Sequence, residues 1–122
     1  MEGIYPIALL LWAQGGYFAL TGIWPLLHYR SFEKVTGRKT DVWLVKILGA
    51  LIIVVGCLLL FAAWRNEVNG YVVMAGTGSA VVLLLADVIY VARKVIAPVY
   101  LADAAVELVL LGLWILYLYN ML

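Results

Sequence analysis

Three acidic residues lie inside stretches of sequence that are otherwise apolar. Asp87 stands in the run VVLLLADVIYV, and Asp103 and Glu107 stand in YLADAAVELVLLGLW. Asp103 and Glu107 are four residues apart, so they share one face of a helix. An ionised acid in hydrocarbon costs about 2.5–3.5 kcal/mol even on a lenient scale. We therefore expect the three acids to face inward and to bind a proton, a cation or a small molecule.

The depth of these acids follows from the rise of a helix. At 1.5 Å per residue, Asp103 lies about 9 Å and Glu107 about 15 Å along the helix from Ala97. Asp87 lies about 9 Å before Arg93 on the preceding helix. All three acids are expected in the same half of the membrane, with Glu107 nearest the midplane and most suited to hold a proton.

Lysine and tyrosine residues near the acids are the expected partners. Lys46 lies one turn inside another apolar stretch and is the expected counter-charge. One lysine cannot neutralise three acids, so at least one acid should hold a proton or meet another cation. A phenol can donate to a carboxylate, and each aspartate has a tyrosine three residues away, Tyr90 for Asp87 and Tyr100 for Asp103. The alternative is that these groups are structural and only lock the helices together.

Catalytic chemistry is not indicated. No apolar stretch carries a nucleophile–base pair or a metal-ligand cluster, because Ser79 and Cys57 lie on different stretches and neither stretch has a histidine. His28 is the only histidine, which excludes an intrachain bis-histidine haem, and we interpret it as an interfacial side chain. We expect no catalytic residue, metal site or cofactor, and an enzyme is the least favoured class.

The composition indicates a membrane protein. Of 122 residues, 67% are hydrophobic and 12% are charged, whereas a soluble domain is about half apolar and about a quarter charged. The net charge of +1 gives no basic stripe for nucleic acid. The single cysteine, Cys57, excludes an intramolecular disulfide. Membrane lipids are the expected partners.

Four apolar stretches have the length of about 20 residues that a membrane-spanning helix needs. They run over about 4–27, 43–64, 71–92 and 97–119. The two later connections are short enough to force antiparallel neighbours. The N-terminus has no Lys or Arg before its apolar run, so we expect a retained span rather than a signal peptide. The predicted fold is all-α: a single domain, 1–122, forming an antiparallel bundle of four transmembrane helices.

The distribution of Lys and Arg predicts the orientation. Basic residues concentrate in the first and third connections and at the adjoining helix ends: Arg30, Lys34, Arg38, Lys39, Lys46, Arg93 and Lys94. The second connection has only Arg65. Because cytoplasmic loops carry the excess of basic residues, segments 28–42 and 93–96 are expected in the cytoplasm and both termini outside.

Small and polar residues indicate how the helices approach. Gly15 and Gly22 are seven residues apart on the first span, and Gly49 and Gly56 are likewise on the second. The third span contains AGTGSA, and small residues on one face let backbones touch in a membrane. Gln14 is expected to make an interhelical hydrogen bond rather than to bind a ligand.

The end of the first span is marked by a proline. Pro25 has no N–H, so the helix either kinks there or stops and restarts. The following segment, PLLHYRSFEKVTG, is predicted to form a short interfacial helix that ends at Gly37. Thr40 or Asp41 is then expected to cap the second span.

Two segments resemble small four-pass bacterial membrane proteins: WPLLHYRSFEKVTGRKTDVWLV, 24–45, and DVIYVARKVIAPVYLADAAVE, 87–107. The resemblance covers about a third of the chain. It implies a bacterial inner-membrane location and no particular activity. It directs interest, without assigning roles, to Arg30, Thr36, Lys39, Asp41, Asp87, Asp103 and Glu107.

The architecture also resembles that of small multidrug transporters in length and span number. Those transporters hold a key glutamate in the first span, where this chain has Gln14 and no acid.

The sequence leaves two hypotheses for the function of the protein. One is a protein that binds or transports a cation, proton or small molecule, which would need a dimer because four spans enclose little volume. The other is a non-catalytic accessory or scaffold subunit of a larger membrane complex.

Overall fold

The computed structural model describes residues 4–121, and it describes side chains for residues 7–120. This part of the chain forms five helices joined by short turns and loops. They are α1 (Ile4–Leu27), α2 (Tyr29–Thr36), α3 (Val42–Arg65), α4 (Gly70–Ala92) and α5 (Tyr100–Met121).

Four of these helices are long and apolar enough to cross a membrane. The spanning stretches are Ile7–Leu27, Val42–Arg65, Gly70–Ala92 and Tyr100–Asn120, with mean hydropathies of 1.3, 2.8, 2.1 and 2.0. Large apolar side chains cover their outer surfaces, as expected when lipid rather than water is the solvent. The chain is therefore an all-helical, multi-pass membrane protein.

Glycine pairs set the contact between α1 and α3. A Cβ atom at Gly22 would lie 2.5 Å from the carbonyl oxygen of Gly49, and one at Gly15 would lie 2.9 Å from that of Gly56. The two backbones touch at both levels because neither side has a side chain to separate them. Gly15 thus meets Gly56, and Gly22 meets Gly49.

A tryptophan sets the contact between α4 and α5. Trp114 is fully buried, and its indole ring occupies the space that a Cβ atom at Gly76 would need. Helix α1 contacts both α3 and α5, and it contributes Leu11, Phe18 and other side chains to the apolar core. Helix α1, one member of the α1–α3 pair, therefore also links this pair to the α4–α5 pair.

A short helix, α2, is present where one was predicted. It ends at Thr36, and Gly37 follows with a φ of 94°, a left-handed conformation that glycine adopts without a steric cost. Helix α1 continues through Pro25 to Leu27 rather than stopping. The buried Pro25 ring lies 3.3 Å from the Cβ position of Gly49, so the proline is part of the α1–α3 contact.

The last helix begins three residues later than predicted. The chain forms turns over Ala97, Pro98 and Val99, whose carbonyl groups accept from the N–H groups three residues ahead at 2.9–3.1 Å. Helix α5 then begins at Tyr100. Pro98 favours this arrangement because it fixes φ and lacks an N–H.

Candidate functional site

The three buried acids on α4 and α5 converge. The carboxyl group of Asp103 lies close to those of both Asp87 and Glu107. We call Asp87, Asp103 and Glu107 the acid cluster. Helix α1 joins it through Tyr17, whose hydroxyl group donates to Oδ1 of Asp103. The cluster therefore takes side chains from two spans and a hydrogen-bond donor from a third.

Helix packing explains the convergence. Asp87 is buried on the same face of α4 as Gly76 and Ala80, which is the face that meets α5. Glu107 lies seven residues before Trp114, and both are fully buried. Residues seven apart share a helix face, so the contact that brings Trp114 to Gly76 also brings Glu107 towards α4. Asp87 and Glu107 are therefore buried between the helices, whereas Asp103 is half-buried.

Exposure differs across the acid cluster. Glu107 is 0% exposed and Asp87 is 5% exposed, whereas Asp103 is half-buried. Oδ2 of Asp87 and both carboxyl oxygens of Glu107 are buried and have no hydrogen-bond partner within the described part of the chain. Asp103, nearest the start of α5, is the least buried member of the cluster.

The chemistry of facing carboxyl groups limits what the cluster can hold. Ionised carboxyl groups only accept hydrogen bonds, and a protonated one also donates. Two carboxylates at hydrogen-bonding distance repel each other, and a proton or a cation between them removes the repulsion. Among residues 7–120, no group of three or more His, Cys, Asp or Glu residues is arranged to hold a metal ion.

Lys46 does not meet the acid cluster, contrary to the expectation that it is the counter-charge. Its side chain is exposed, and its Nζ lies 5.9 Å from the centre of the Tyr29 ring. In the described part of the chain the ion pair that forms is Arg65–Glu67, at 3.1 Å and on the surface. Helix α3 packs mainly on α1, so a lysine near its start lies away from the α4–α5 contact.

The expected tyrosine partners of the aspartates are also different. Tyr90 is 44% exposed and, within the described side chains, donates to no acid. Tyr100 instead places its ring 5.1 Å from Nζ of Lys39. Tyr90 lies near the end of α4 and Tyr100 at the start of α5, and an amphipathic phenol is favourable near the end of a span. The donor to Asp103 is Tyr17, which lies on α1.

Gln14 makes the interhelical hydrogen bonds that its position predicts. Its Nε2 donates to the carbonyl oxygen of Gly76 at 2.9 Å, and its Oε1 accepts from Nε1 of Trp114 at 2.7 Å. Gln14 is 0% exposed. One amide therefore joins α1, α4 and α5, and its contacts are structural.

The remaining candidates lie at the interface and away from the acids. His28 begins α2, and its Nδ1 accepts from the backbone N–H of Ser31 at 3.2 Å. Arg30 is exposed beside it. Asp41 stands at the start of α3 but makes no side-chain hydrogen bond there; its backbone carbonyl accepts from Leu44 at 3.1 Å. The structure brings none of the three to the acid cluster.

Two important residues were not among the sequence candidates. Tyr17 lies in the middle of a span, far from the interfaces where tyrosine is usual, and three residues after Gln14. Trp114 is a mid-span indole with an N–H that needs an acceptor when buried. A polar aromatic group in the middle of a span is therefore the signal that could have identified both residues.

Two cavities lie away from the acids. One of about 190 Å³ is lined by Ile7, Leu11, Ala63, Tyr117 and their neighbours. Another, of about 210 Å³, is lined by Leu58, Ala62, Tyr71, Val72 and their neighbours. Both lie at the end of the bundle that carries the α3–α4 connection. No member of the acid cluster lines either cavity.

Comparisons with protein-family models, with curated proteins and with solved structures give no match to this chain.

Proposed function

We propose that this membrane protein binds and releases protons at the acid cluster and couples them to the movement of a cation or small molecule. The observation that supports the proposal is the convergence of Asp87, Asp103 and Glu107 with three buried oxygen atoms that lack hydrogen-bond partners among the described residues. Protons shared within the cluster would supply the missing hydrogen bonds, and ionisable groups inside a membrane commonly mark such relays.

The proposal includes an antiparallel bundle with both termini outside, in a bacterial inner membrane. Two contacts support placing the first and third connections at one end: Gly37 lies 3.5 Å, measured from its Cβ position, from Cβ of Ala97, and Lys39 contacts Tyr100. Basic residues concentrate in these two connections, and such connections face the cytoplasm. The acid cluster would then open towards the cytoplasm through Asp103.

Infrared spectroscopy of the protein in lipid tests proton binding directly. A protonated carboxyl group has a C=O band that shifts in D₂O and disappears on ionisation. We expect a band that titrates with pH in the wild type and is lost or reduced in Glu107→Gln. The matched control is Glu67→Gln, which removes a surface acid and should leave the band unchanged. A wild type without any titrating carboxylic band would refute proton binding.

Proteoliposomes test the coupled movement. A pH-sensitive dye inside the vesicles should report proton entry when a gradient is imposed, and Glu107→Gln should abolish the signal while Glu67→Gln retains it. Proton flux that is the same in Glu107→Gln and wild type would rule out transport through the cluster.

A second candidate is an accessory subunit that packs against a larger membrane protein, or a second copy of the chain, with the acids in a structural role. Gly78 on α4 and Gly112 on α5 support it, because both are exposed and their Cβ positions face open space. Small residues on a lipid-facing surface let another helix approach closely. Purification in native lipids, followed by comparison of wild type with Gly112→Leu, would reveal a stoichiometric partner that the variant loses.

A further inference from the structure

Lys39 joins the end of α2 to the start of α5. Its ammonium group donates to the carbonyl oxygen of Thr36 at 3.1 Å, to Oγ1 of Thr36 at 3.0 Å and to the carbonyl oxygen of Gly37 at 3.0 Å. An ammonium group has three N–H donors, so these oxygens are enough to satisfy all of them. The contact also places a positive charge at the C-terminus of α2, where the helix dipole favours it.

Two aromatic rings complete the surroundings of this ammonium group. Nζ of Lys39 lies 5.3 Å from the centre of the Phe32 ring on α2 and 5.1 Å from the centre of the Tyr100 ring on α5. Both distances are within the range of a cation–π contact. Tyr100 is the first residue of α5, one turn before Asp103. Lys39 is therefore bound from both sides, by α2 and by the helix that carries two of the acids.

The chain after α2 also lies over the approach to α5. The Cβ position of Gly37 is 3.5 Å from Cβ of Ala97, so the loop rests on the turn that precedes α5. Asp103, the half-buried acid, lies directly beyond this turn, while Glu107 and Asp87 are buried behind it. The contact of Lys39 with Tyr100 therefore lies one turn before Asp103.

We propose that Lys39 fastens α2 and the following loop over the start of α5, and that its release opens the route by which water reaches Asp103. The inference rests on the proposed function for its purpose, which is control of proton exchange at the cluster. Helix α2 has only eight residues, so few contacts hold it in place. Short, partly exposed elements of this kind open locally without unfolding of the whole protein.

Cysteine accessibility measures the opening without reference to proton binding. Ala104 is buried next to Asp103, so Ala104→Cys, in a protein with Cys57→Ser, reports water at the cluster. A small water-soluble thiosulfonate should modify this introduced cysteine slowly when Lys39 is present. Lys39→Met keeps the length of the side chain and removes its charge; we expect modification about tenfold faster, from the loss of two cation–π contacts and the helix-end hydrogen bonds.

Matched variants distinguish the specific contacts of Lys39 from a general effect of losing a positive charge or of altered folding. Lys34→Met removes an exposed cation of the same helix and should leave the modification rate unchanged. Lys39→Arg keeps the positive charge and the capacity to stack on aromatic rings, so it should restore most of the slow rate. Circular dichroism and hydrogen exchange of the four spans should be the same in all variants.

The outcomes distinguish this inference from the proposed function. If the introduced cysteine is modified at the same rate with Lys39 present and in Lys39→Met, then Lys39 only caps α2. That result would overturn the proposal that Lys39 controls the access of water. The same holds if the cysteine introduced by Ala104→Cys reacts rapidly while Lys39 is present. If Lys39→Met accelerates modification while Glu107→Gln leaves proton flux unchanged, the role proposed for Lys39 is supported and the transport proposal fails.

Discussion

Nε1 of Trp114 donates to Oε1 of Gln14 at 2.7 Å, across 100 positions of the sequence. The same amide donates from Nε2 to the backbone of Gly76. Because an indole N–H inside a membrane has no water to replace a lost acceptor, Gln14 satisfies a donor that would otherwise be costly to bury. The Gly76 carbonyl, which also accepts from Ser79 at 3.2 Å, in turn satisfies the Gln14 amide. The acid cluster lies two to three turns from this contact, towards the start of α5.

Replacement of Gln14 by Leu should destabilise the bundle. The variant leaves the Trp114 N–H without its acceptor and removes one donor from the Gly76 carbonyl, so we expect the free energy of unfolding to fall by about 1–3 kcal/mol. Reversible unfolding in mixed micelles, followed by circular dichroism, measures the change. Thr77→Val is the control, because Thr77 bonds only within its own helix, to Val73 at 2.7 Å. Equal stability of both variants would show that Gln14 contributes little.

Two glycines of α4 should respond in opposite ways to alanine. Gly76→Ala places a methyl group inside the Trp114 indole ring, and overpacking of this kind costs about 1–3 kcal/mol. Gly78, two residues further along, has nothing within 4 Å of its Cβ position, so Gly78→Ala should leave stability unchanged or raise it by up to about 1 kcal/mol. Thermal unfolding of the two variants side by side makes the comparison. A tolerated Gly76→Ala would contradict the α4–α5 contact.

The α1–α3 contact makes a parallel prediction. Gly22→Ala would bring a Cβ atom within 2.5 Å of the Gly49 carbonyl and 2.8 Å of an Ile53 side-chain carbon. Because the nearest atom belongs to the backbone, the helices must separate, at a cost of about 1–3 kcal/mol. Gly16→Ala is the control, since nothing lies within 4 Å of its Cβ position. If both alanine variants unfold at the same denaturant concentration, this close approach does not exist in the membrane.

Tyr17→Phe tests the link between α1 and the acid cluster. The variant removes the donor to Asp103 and should lower the free energy of unfolding by about 1–3 kcal/mol, the range for an interaction with an acid group. Tyr119→Phe, at a residue that is 76% exposed, should have no comparable effect. In a double-mutant cycle with Asp103→Asn, the two changes should be non-additive; simple additivity would mean that the phenol and the carboxyl group do not interact.

Helix number and packing faces were accessible from the sequence, and for physical reasons. The four spans follow from the length and apolarity of their segments. The seven-residue glycine spacing marked a close-packing face on each of the first two spans, but which glycines meet comes from the structure. Gln14 was expected to bond between helices, and it does. In each case a period of seven residues or a cost of burial restricted the choice of face.

The partners of the acids were not accessible in the same way. Lys46 and Tyr100 are near the acids in depth, but depth does not determine which helices are neighbours. Helix α3 packs on α1, so Lys46 lies at the interface, while α1 brings Tyr17 to Asp103. Lys39 was one of several loop cations by sequence, and only the fold of α2 against α5 places it beside Tyr100.

The glycine contact between α1 and α3 has a consequence for biogenesis. Both helices lie within the first 65 residues, so during N-to-C synthesis this pair can associate before α4 and α5 have left the ribosome. Gln14 and Tyr17 would already lie in the bilayer when α4 and α5, which carry the acid cluster, are inserted. The α1–α3 pair would thus supply the Gln14 amide and the Tyr17 phenol as hydrogen-bond partners for polar residues of α4 and α5 that are costly to insert into lipid alone.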